Sequence, residues 1–356
     1  MLRPKIKEIY DVVPEAADRY QVRSSEMTAV LTGATVSDVF STILPLLDGS
    51  NTFDEIVEKL SPEISAEQVQ LILTKLGASG IIEDAAEGPD SSFAPEELEH
   101  YRRQMIFFDL MAESGSPVDF QQNLKKSHVT IVGSGDLALS LARQLARLGI
   151  GRIFGANMDS EQQIGDLNPF ISFGFGAIDQ EDREGLERTV VEGSPNLLVI
   201  AVDRPEPDLV EQVNELSQSF GIALLLCQTN GTEGSVGPFV IPRQTACLSC
   251  HNLRVTRNLD HYQEYRAWKK WIATDGKNRR AVPMFLPPFT DIVAGMAAIE
   301  IFKHVSDVYE AETYGKFVTV SAITLEAITH QVLRLPRCPS CGNARNNTLF
   351  SVWQEV

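Results

Sequence analysis

The stretch HVTIVGSGDLALSLARQLARLG, from His128 to Gly149, joins an apolar run, a Gly-Ser-Gly turn and a helical apolar pattern. A glycine-rich turn between a buried strand and a helix is typical of nucleotide-binding α/β folds. The loop fits the spacing G-x-G-x-x-G/A at Gly133, Gly135 and Ala138. The sequence therefore predicts a Rossmann-like β-turn-α unit and raises the question of whether this loop still binds a nucleotide.

Further apolar runs surround this unit and alternate with helical stretches. The runs read VTIVG, GRIFGAN, NLLVIAV and IALLLCQ. Such alternation predicts βαβ units and a parallel sheet. We assign residues 128–356 to this α/β domain.

The first 87 residues have a different pattern. Three short β-branched or aromatic runs precede three helix-like segments and the strand-like IIED. Thr52 followed by Glu55 forms a capping-box pattern, and Ser65 is a candidate N-cap. Residues 1–87 are therefore predicted to form a winged-helix-like module. The Gly-, Pro-, Ser- and acid-rich stretch after it predicts a linker, with helices that lead into the α/β domain, over 88–127.

Composition narrows the class of protein. The 356 residues carry a net charge of -17, so the chain as a whole repels nucleic-acid phosphates. No apolar run is long enough to span a membrane, and the N-terminal residues lack the apolar centre of a signal peptide. We expect a cytoplasmic protein that binds neither nucleic acid nor membrane.

Four of the five cysteines form two C-x-x-C pairs, Cys247/Cys250 and Cys338/Cys341. Two such pairs can supply the four thiolates of a tetrahedral zinc ion, whose filled coordination would make it structural rather than catalytic. Two disulfides or a chance spacing are the alternatives, and a reducing cytosol disfavours the disulfides. Cys227 lies in an apolar run and is interpreted as a buried, inert thiol.

The segment from His251 to Val282 has a basic and aromatic character that the rest of the chain lacks. It could form a surface for a peptide or protein partner. It could equally be a solvated crossover segment that covers two tryptophans. Both interpretations remain open at this stage.

The residues expected around a bound nucleotide are incomplete. Asn157 stands where an acid should bind the ribose, and Asp136 places a carboxylate inside the loop, where it would oppose phosphate. No lysine occurs between Arg152 and Val240, although phosphate sites usually recruit basic side chains. The glycine pattern therefore predicts the fold rather than an occupied nucleotide site.

The motifs HYRRQ, VTIVGSGDLA, MDSEQQIGDLNPF, ACLSC and CPSCG resemble the ThiF/MoeB branch of the ubiquitin-activating-enzyme superfamily. That resemblance implies a site that binds Mg-ATP and adenylates a peptide or protein carboxylate. Arg103, Asn168 and Asp203 match the family motifs, whereas Asn157 and Pro169 depart from them. With its loop glycines, the expected degenerate nucleotide site comprises Gly133, Gly135, Asn157, Asp203 and Arg103, and we expect ATP not to bind there.

A winged module before a ThiF-like domain also resembles the leader-peptide-binding partner proteins of azoline-forming YcaO cyclodehydratases. The resemblance implies that an extended leader peptide adds to the third predicted strand of the winged module, TAVLTGA at residues 28–34, with the third helix as the other wall. The residues predicted to line this groove are Thr28, Ala29, Val30, Leu31, Thr32, Gln68, Gln70, Leu71, Thr74 and Lys75. DNA binding by the winged module is the alternative. The acidity of residues 1–88, with 7 basic against 15 acidic side chains, disfavours it.

The preferred hypothesis is a non-catalytic protein that delivers a ribosomal precursor peptide to a separate YcaO-type cyclodehydratase, as a homodimer or within a hetero-complex. The alternative is an active adenylating enzyme of the ThiF/MoeB type. A third hypothesis, which rests on the glycine loop alone, is an NAD(P)-dependent oxidoreductase, but it gives no role to the cysteine pairs or to the winged module.

Overall fold

The computed structural model describes residues 3–16, 19–32, 36–85, 93–111, 115–133, 135–156, 167–176, 183–275, 282 and 284–342. The chain divides into two compact units, Met1–Val118 and Asp119–Val356. Part of the predicted linker, 86–92, lies outside the described residues, as do Asn157 and most of the stretch MDSEQQIGDLNPF.

The N-terminal unit is an α+β module. Its elements are β1 (Pro4–Ile6), β2 (Asp11–Ala16), β3 (Arg19–Arg23), β4 (Thr28–Thr32), α1 (Val36–Ile43), α2 (Phe53–Leu60), α3 (Ala66–Ala78), β5 (Ile82–Asp84) and α4 (Pro95–Met111). Strands β2, β3 and β4 form an antiparallel sheet in that order, and β1 pairs with β5. The predicted three strands, three helices and returning strand are confirmed, and the structure adds the short strand β1 before them, paired with the returning strand β5.

Local sequence sets the starts of two helices in this unit. The Thr52 side chain accepts a hydrogen bond from the backbone N–H of Glu55, whose side chain accepts one from the N–H of Thr52. Ser65 and Gln68 make the same reciprocal pair at the start of α3. Each box satisfies two backbone donors that a helix leaves free. The helices then bury one face against the sheet, in a core that includes Val22, Ile56, Val69 and Leu73.

The C-terminal unit is built on an eight-stranded mixed sheet. Its elements are α5 (Pro117–Lys126), β6 (His128–Val132), α6 (Asp136–Leu148), β7 (Arg152–Ala156), β8 (Ser172–Gly176), α7 (Arg183–Gly193), β9 (Leu197–Val202), α8 (Pro207–Phe220), β10 (Ala223–Asn230), β11 (Glu233–Val240), α9 (Leu248–Arg257), α10 (Tyr262–Asp275), α11 (Pro287–Ser306), β12 (Lys316–Ser321) and β13 (Ala327–Gln331). The boundary between the units falls within α5.

The strand order is β13-β12-β11-β10-β9-β6-β7-β8. Strands β10, β9, β6, β7 and β8 run parallel, and β11, β12 and β13 extend the sheet by antiparallel pairing. The predicted parallel βαβ sheet is therefore confirmed, with an antiparallel extension. Because β6 lies between β9 and β7 in the parallel part of the sheet, its five residues are all buried, and its sequence does not alternate between buried and exposed positions.

Helix α6 follows the glycine turn and ends at Gly149, which adopts the left-handed conformation with φ of 84°. Its buried side includes Leu137, Leu141 and Leu145, spaced by one helical turn. Among the described residues, no helix has the length and apolar character that crossing a membrane requires.

Candidate functional site

The glycine loop between β6 and α6 brings two strands and a helix into close contact. A side chain at Gly133 would place its Cβ 1.9 Å from the carbonyl oxygen of Ala201, at the end of the neighbouring β9. A Cβ at Gly135 would lie 2.0 Å from Oδ2 of Asp203. Both glycines have positive φ, 155° and 94°. Only glycine fits these positions. The second contact shows that the loop packs against the carboxylate of Asp203.

The Asp203 carboxylate binds the N-terminus of α6. Its Oδ2 accepts a hydrogen bond of 2.6 Å from the N–H of Asp136, and its Oδ1 accepts one of 3.0 Å from the N–H of Leu137. The hydroxyl of Thr229 lies 3.5 Å from Oδ1. In nucleotide-binding loops, donors at this position face a phosphate. Here the Asp203 carboxylate already accepts hydrogen bonds from two of these donors.

Burial raises the pKa of Asp203. The two backbone N–H bonds favour the ionised form and oppose that rise, whereas the nearby Asp136 carboxylate adds to it by repulsion. Asp136 is itself exposed at the rim of the loop. A second anion, such as a phosphate, would meet both carboxylates at this point.

The other predicted nucleotide-site residues do not complete a described site. Arg103 is exposed on α4 in the N-terminal unit, and Asn157 lies outside the described residues. Asn168 is buried: its Nδ2 donates to the carbonyl of Ala146 at 2.7 Å, and its Oδ1 accepts from the N–H of Phe170 at 3.0 Å. The Asn168 amide therefore links the segment before β8 to helix α6.

The four paired cysteines come together, as the spacing predicts. Sγ of Cys247 lies 3.5 Å from that of Cys338 and 3.9 Å from that of Cys250, which is 3.5 Å from Sγ of Cys341. All four sulfur atoms lie within 4.8 Å of one another. A zinc ion about 2.3 Å from each thiolate separates tetrahedral sulfurs by about 3.8 Å. The cluster therefore has the dimensions of a tetrahedral metal site.

Backbone geometry supports each knuckle. Cys247 is the N-cap of α9, so the first pair lies on the first turn of that helix. In the second knuckle, the N–H of Gly342 donates to the carbonyl of Cys338 at 2.9 Å, and a Cβ at Gly342 would lie 2.5 Å from the same oxygen. The N–H of Leu335 donates to Sγ of Cys250 at 3.3 Å, a bond that favours a thiolate.

The fifth cysteine takes no part in this cluster. Cys227 is fully buried in β10, and its thiol donates to the carbonyl of Ile200 at 3.3 Å. Burial raises its pKa, as expected for an inert thiol in an apolar core.

Strand β4, at one end of the three-stranded sheet of the winged module, has one unpaired edge among the described residues. The N–H of Ser24 donates to the carbonyl of Met27, and the register pairs Val22 with Ala29. Because hydrogen-bonded and non-hydrogen-bonded pairs alternate in an antiparallel sheet, Ala29 and Leu31 bond to β3. The backbone groups of Thr28, Val30 and Thr32 therefore face away from β3, at the open edge.

The predicted groove residues divide into two sets. Ala29 and Leu31 pack on the core of the module, whereas the other groove residues are exposed. On α3, Leu71 is 56% exposed although it is apolar, and it lies beside Gln70, Thr74 and Lys75. Gln68 is engaged in the capping box of α3. The predicted surface of the module thus carries one exposed apolar side chain, Leu71, and an open strand edge.

The basic segment after the first cysteine pair forms α9 and α10. Trp271 is 41% exposed and Trp268 is half-buried, with its ring 5.5 Å from that of Tyr265. Residues 276–281 lie outside the described part of the chain. Both interpretations of this segment, a partner surface and a solvated crossover, stay predictions.

A winged module followed by an α/β sheet with a glycine loop and a four-cysteine cluster defines a protein of the ThiF type. The sequence pattern of the ThiF family matches residues 161–343, and the chain belongs to that family. A winged helix-turn-helix domain matches residues 8–84. No curated protein sequence matches the chain.

Solved structures share the fold over nearly the whole chain. The heterocyclase TruD is 20% identical, with a TM-score of 0.63, over 96% of this chain and 43% of TruD. E. coli MccB with ATP is 16% identical, with a TM-score of 0.65, over 96% of this chain and 100% of MccB. A heterocyclase in complex with substrate and cofactor is 19% identical, with a TM-score of 0.59, over 97% and 40%. The chain thus spans less than half the length of either heterocyclase.

Proposed function

We propose that this protein is a non-catalytic recognition and scaffold protein for ribosomally made peptides. It binds the leader of a precursor peptide and delivers the peptide to a YcaO-type cyclodehydratase for azoline formation. The observation that carries the proposal is the open β4 edge, where backbone groups of Thr28, Val30 and Thr32 are available to an extended peptide. The likeness to two heterocyclase structures supports this setting.

The contacts of Asp203 support the non-catalytic part of the proposal. Its carboxylate bonds the N–H groups of Asp136 and Leu137, which are the donors that a phosphate would need. ATP would have to displace this carboxylate and approach the exposed Asp136 as well. The loop then serves as a structural turn at the centre of the sheet.

The cysteine cluster is proposed to hold a structural zinc ion. Its four sulfur ligands fill a tetrahedral coordination shell and leave no position for substrate. The ion would tie the segment after β13 to the start of α9, across a separation of 91 residues from Cys247 to Cys338.

An adenylating enzyme is the second candidate function. The specific observation that favours it is the likeness to E. coli MccB, whose structure is known with ATP. In this hypothesis, Asp203 leaves the loop when Mg-ATP binds. The substrate would be a peptide carboxylate.

Two measurements separate these functions. Isothermal titration with the leader peptide of the precursor encoded beside this protein is expected to show saturable binding at or below tens of micromolar. Absence of binding in that range contradicts the recognition role. ATP–pyrophosphate exchange in the presence of the full precursor is expected to be absent, and exchange above the background of a no-enzyme reaction would instead establish the adenylating enzyme.

A further inference from the structure

A cavity of about 430 Å³ lies between α9 and the β12–β13 hairpin in the C-terminal unit. Its volume is within the range of pockets that hold small ligands. Its walls are formed by residues that are far apart in the sequence, from His251 to Leu335. None of these residues belongs to the glycine loop, to the cysteine cluster or to the winged module.

Three rings form one wall of the cavity. The rings of His251 and Phe317 meet edge to face with centroids 4.8 Å apart, and Phe317 stacks on His330 at 4.7 Å. Nε2 of His330 is 3.0 Å from the hydroxyl oxygen of Thr319, which fixes the orientation of that ring. Val332 and Leu335 add aliphatic surface. This wall suits the flat, apolar body of an aromatic ligand.

Two arginines supply the charge of the cavity. Nε of Arg254 donates to the carbonyl of Leu333 at 3.0 Å, which anchors the guanidinium at the wall. Arg257 is exposed and has no ion pair within the described chain. No aspartate or glutamate lines the cavity, although the chain carries a net charge of -17. An excess of unpaired cations at one concave site favours an anionic ligand.

We propose that this cavity binds a small organic anion, in which a carboxylate or phosphate ester is carried on an aromatic body. The arginines Arg254 and Arg257 bind the anionic group, and the ring wall of Phe317 and His330 contacts the body. The site is separate from the proposed leader-binding edge, so loss of one activity leaves the other measurable.

The test uses four matched probes in titration calorimetry with the full-length, zinc-loaded protein. These are 2-naphthoate, 2-naphthyl phosphate, the neutral 2-naphthamide and inorganic phosphate. Saturable binding is expected for at least one of the two aromatic anions, at least about tenfold tighter than for 2-naphthamide, because the charge-assisted bonds are lost with the amide. Inorganic phosphate is expected to bind at least about tenfold more weakly, because it lacks the aromatic body. The tighter-binding aromatic anion identifies the natural anionic group.

The paired substitution of Arg254→Gln and Arg257→Gln is expected to weaken binding of the aromatic anion by about tenfold or more. The double substitution of Arg147→Gln and Arg188→Gln, at exposed positions on α6 and α7 outside the cavity, removes the same two charges and is expected to leave binding unchanged. The unfolding temperature of each variant verifies that it folds. The proposal is overturned by equal binding of the aromatic anions and 2-naphthamide, by unchanged binding in the paired variant, or by no saturable binding of either aromatic anion.

Discussion

The carboxylate of Asp203 occupies the backbone donors that give glycine loops their affinity for phosphate. It acts on α6 as an N-cap side chain does, but from the end of β9 rather than from the preceding residue. In the proposed function, the loop keeps its fold while one residue, Asp203, takes the donors that a nucleotide would need. Two stability measurements follow from this contact.

Replacing Asp203→Ala leaves the N–H groups of Asp136 and Leu137 without their partner. Loss of a capping side chain lowers the free energy of unfolding by about 1–2 kcal/mol, and this is the expected effect, measured by urea denaturation. Asp260→Ala removes an exposed carboxylate in the same unit and is the control, expected within about 0.5 kcal/mol of the parent. Equal stability of the two variants would show that the capping contact contributes nothing.

Asp203 also predicts a pH dependence. Its pKa in the folded protein is raised above the ordinary value of 3.8, mainly by burial. As pH rises from 3.8 to the raised value, the unfolded chain loses this proton first, so the contribution of Asp203 to stability falls with pH. Asp203→Asn should remove that part of the pH dependence in urea denaturation at a series of pH values. An Asp260→Asn control should retain it; the idea fails if the two variants have the same profile.

The cysteine cluster gives a prediction about metal content. Cys338→Ser is expected to lose bound zinc and to lower the unfolding temperature, because the free energy of binding a structural metal contributes to folding. Zinc is measured by atomic absorption on protein purified without added metal. Cys227→Ser alters a buried cysteine outside the cluster and should retain the metal. Retention of both zinc and unfolding temperature by Cys338→Ser would contradict the four-thiolate site.

At the scale of elements, β4 allows the peptide-binding mode to be tested with two neighbouring residues. Val30→Pro removes an N–H that faces the open edge, whereas Ala29→Pro removes one that pairs with β3. Val30→Pro is expected to weaken leader-peptide affinity by about tenfold or more, with little change in unfolding temperature. Ala29→Pro should destabilise the module itself.

Leader affinity is measured by fluorescence anisotropy with a labelled peptide, and unfolding by circular dichroism. If Val30→Pro binds the leader as tightly as the parent does, strand addition at this edge is wrong. The Ala29→Pro variant distinguishes loss of a bound strand from loss of the fold.

The elements themselves were largely predictable because their signals are local. The capping box at Thr52, the Ser65 cap and the buried run of β6 each depend on residues within one turn or one strand. The cysteine cluster was predictable across a long separation because zinc ligands have a recognisable spacing. The parallel pairing of the central strands followed from the alternating pattern, whereas their order in the sheet did not.

The contacts that modify the site were not predictable in this way. Asp203 reaches the glycine loop only because β9 and β6 are neighbours in the sheet, and its match to a motif of a family that binds Mg-ATP suggested a different partner. The cavity beside His251 is formed by α9 and the β12–β13 hairpin, and no local motif marks it. The glycine at position 135 carried a partial signal, because it leaves room for the incoming carboxylate.

At the scale of the whole molecule, the distribution of charge bears on whether the N-terminal unit binds DNA or a peptide. The N-terminal unit matches a winged helix-turn-helix domain, yet its acidic side chains outnumber its basic ones by about two to one. We expect no binding of duplex DNA at micromolar protein and 100 mM salt, since DNA affinity depends on neutralising phosphates. An electrophoretic mobility assay with random-sequence and upstream operon DNA measures this, and a specific shift would contradict the peptide-binding role.

The two cysteine pairs also order events during synthesis. A ribosome releases Cys247 and Cys250 well before Cys338 and Cys341, which lie 91 positions further along. A nascent chain that stops between the pairs offers a metal only two sulfurs, half of a tetrahedral set. In the proposed zinc site, the set of four sulfurs is complete only once translation has passed residue 341, so zinc retention is expected only of chains that contain both pairs.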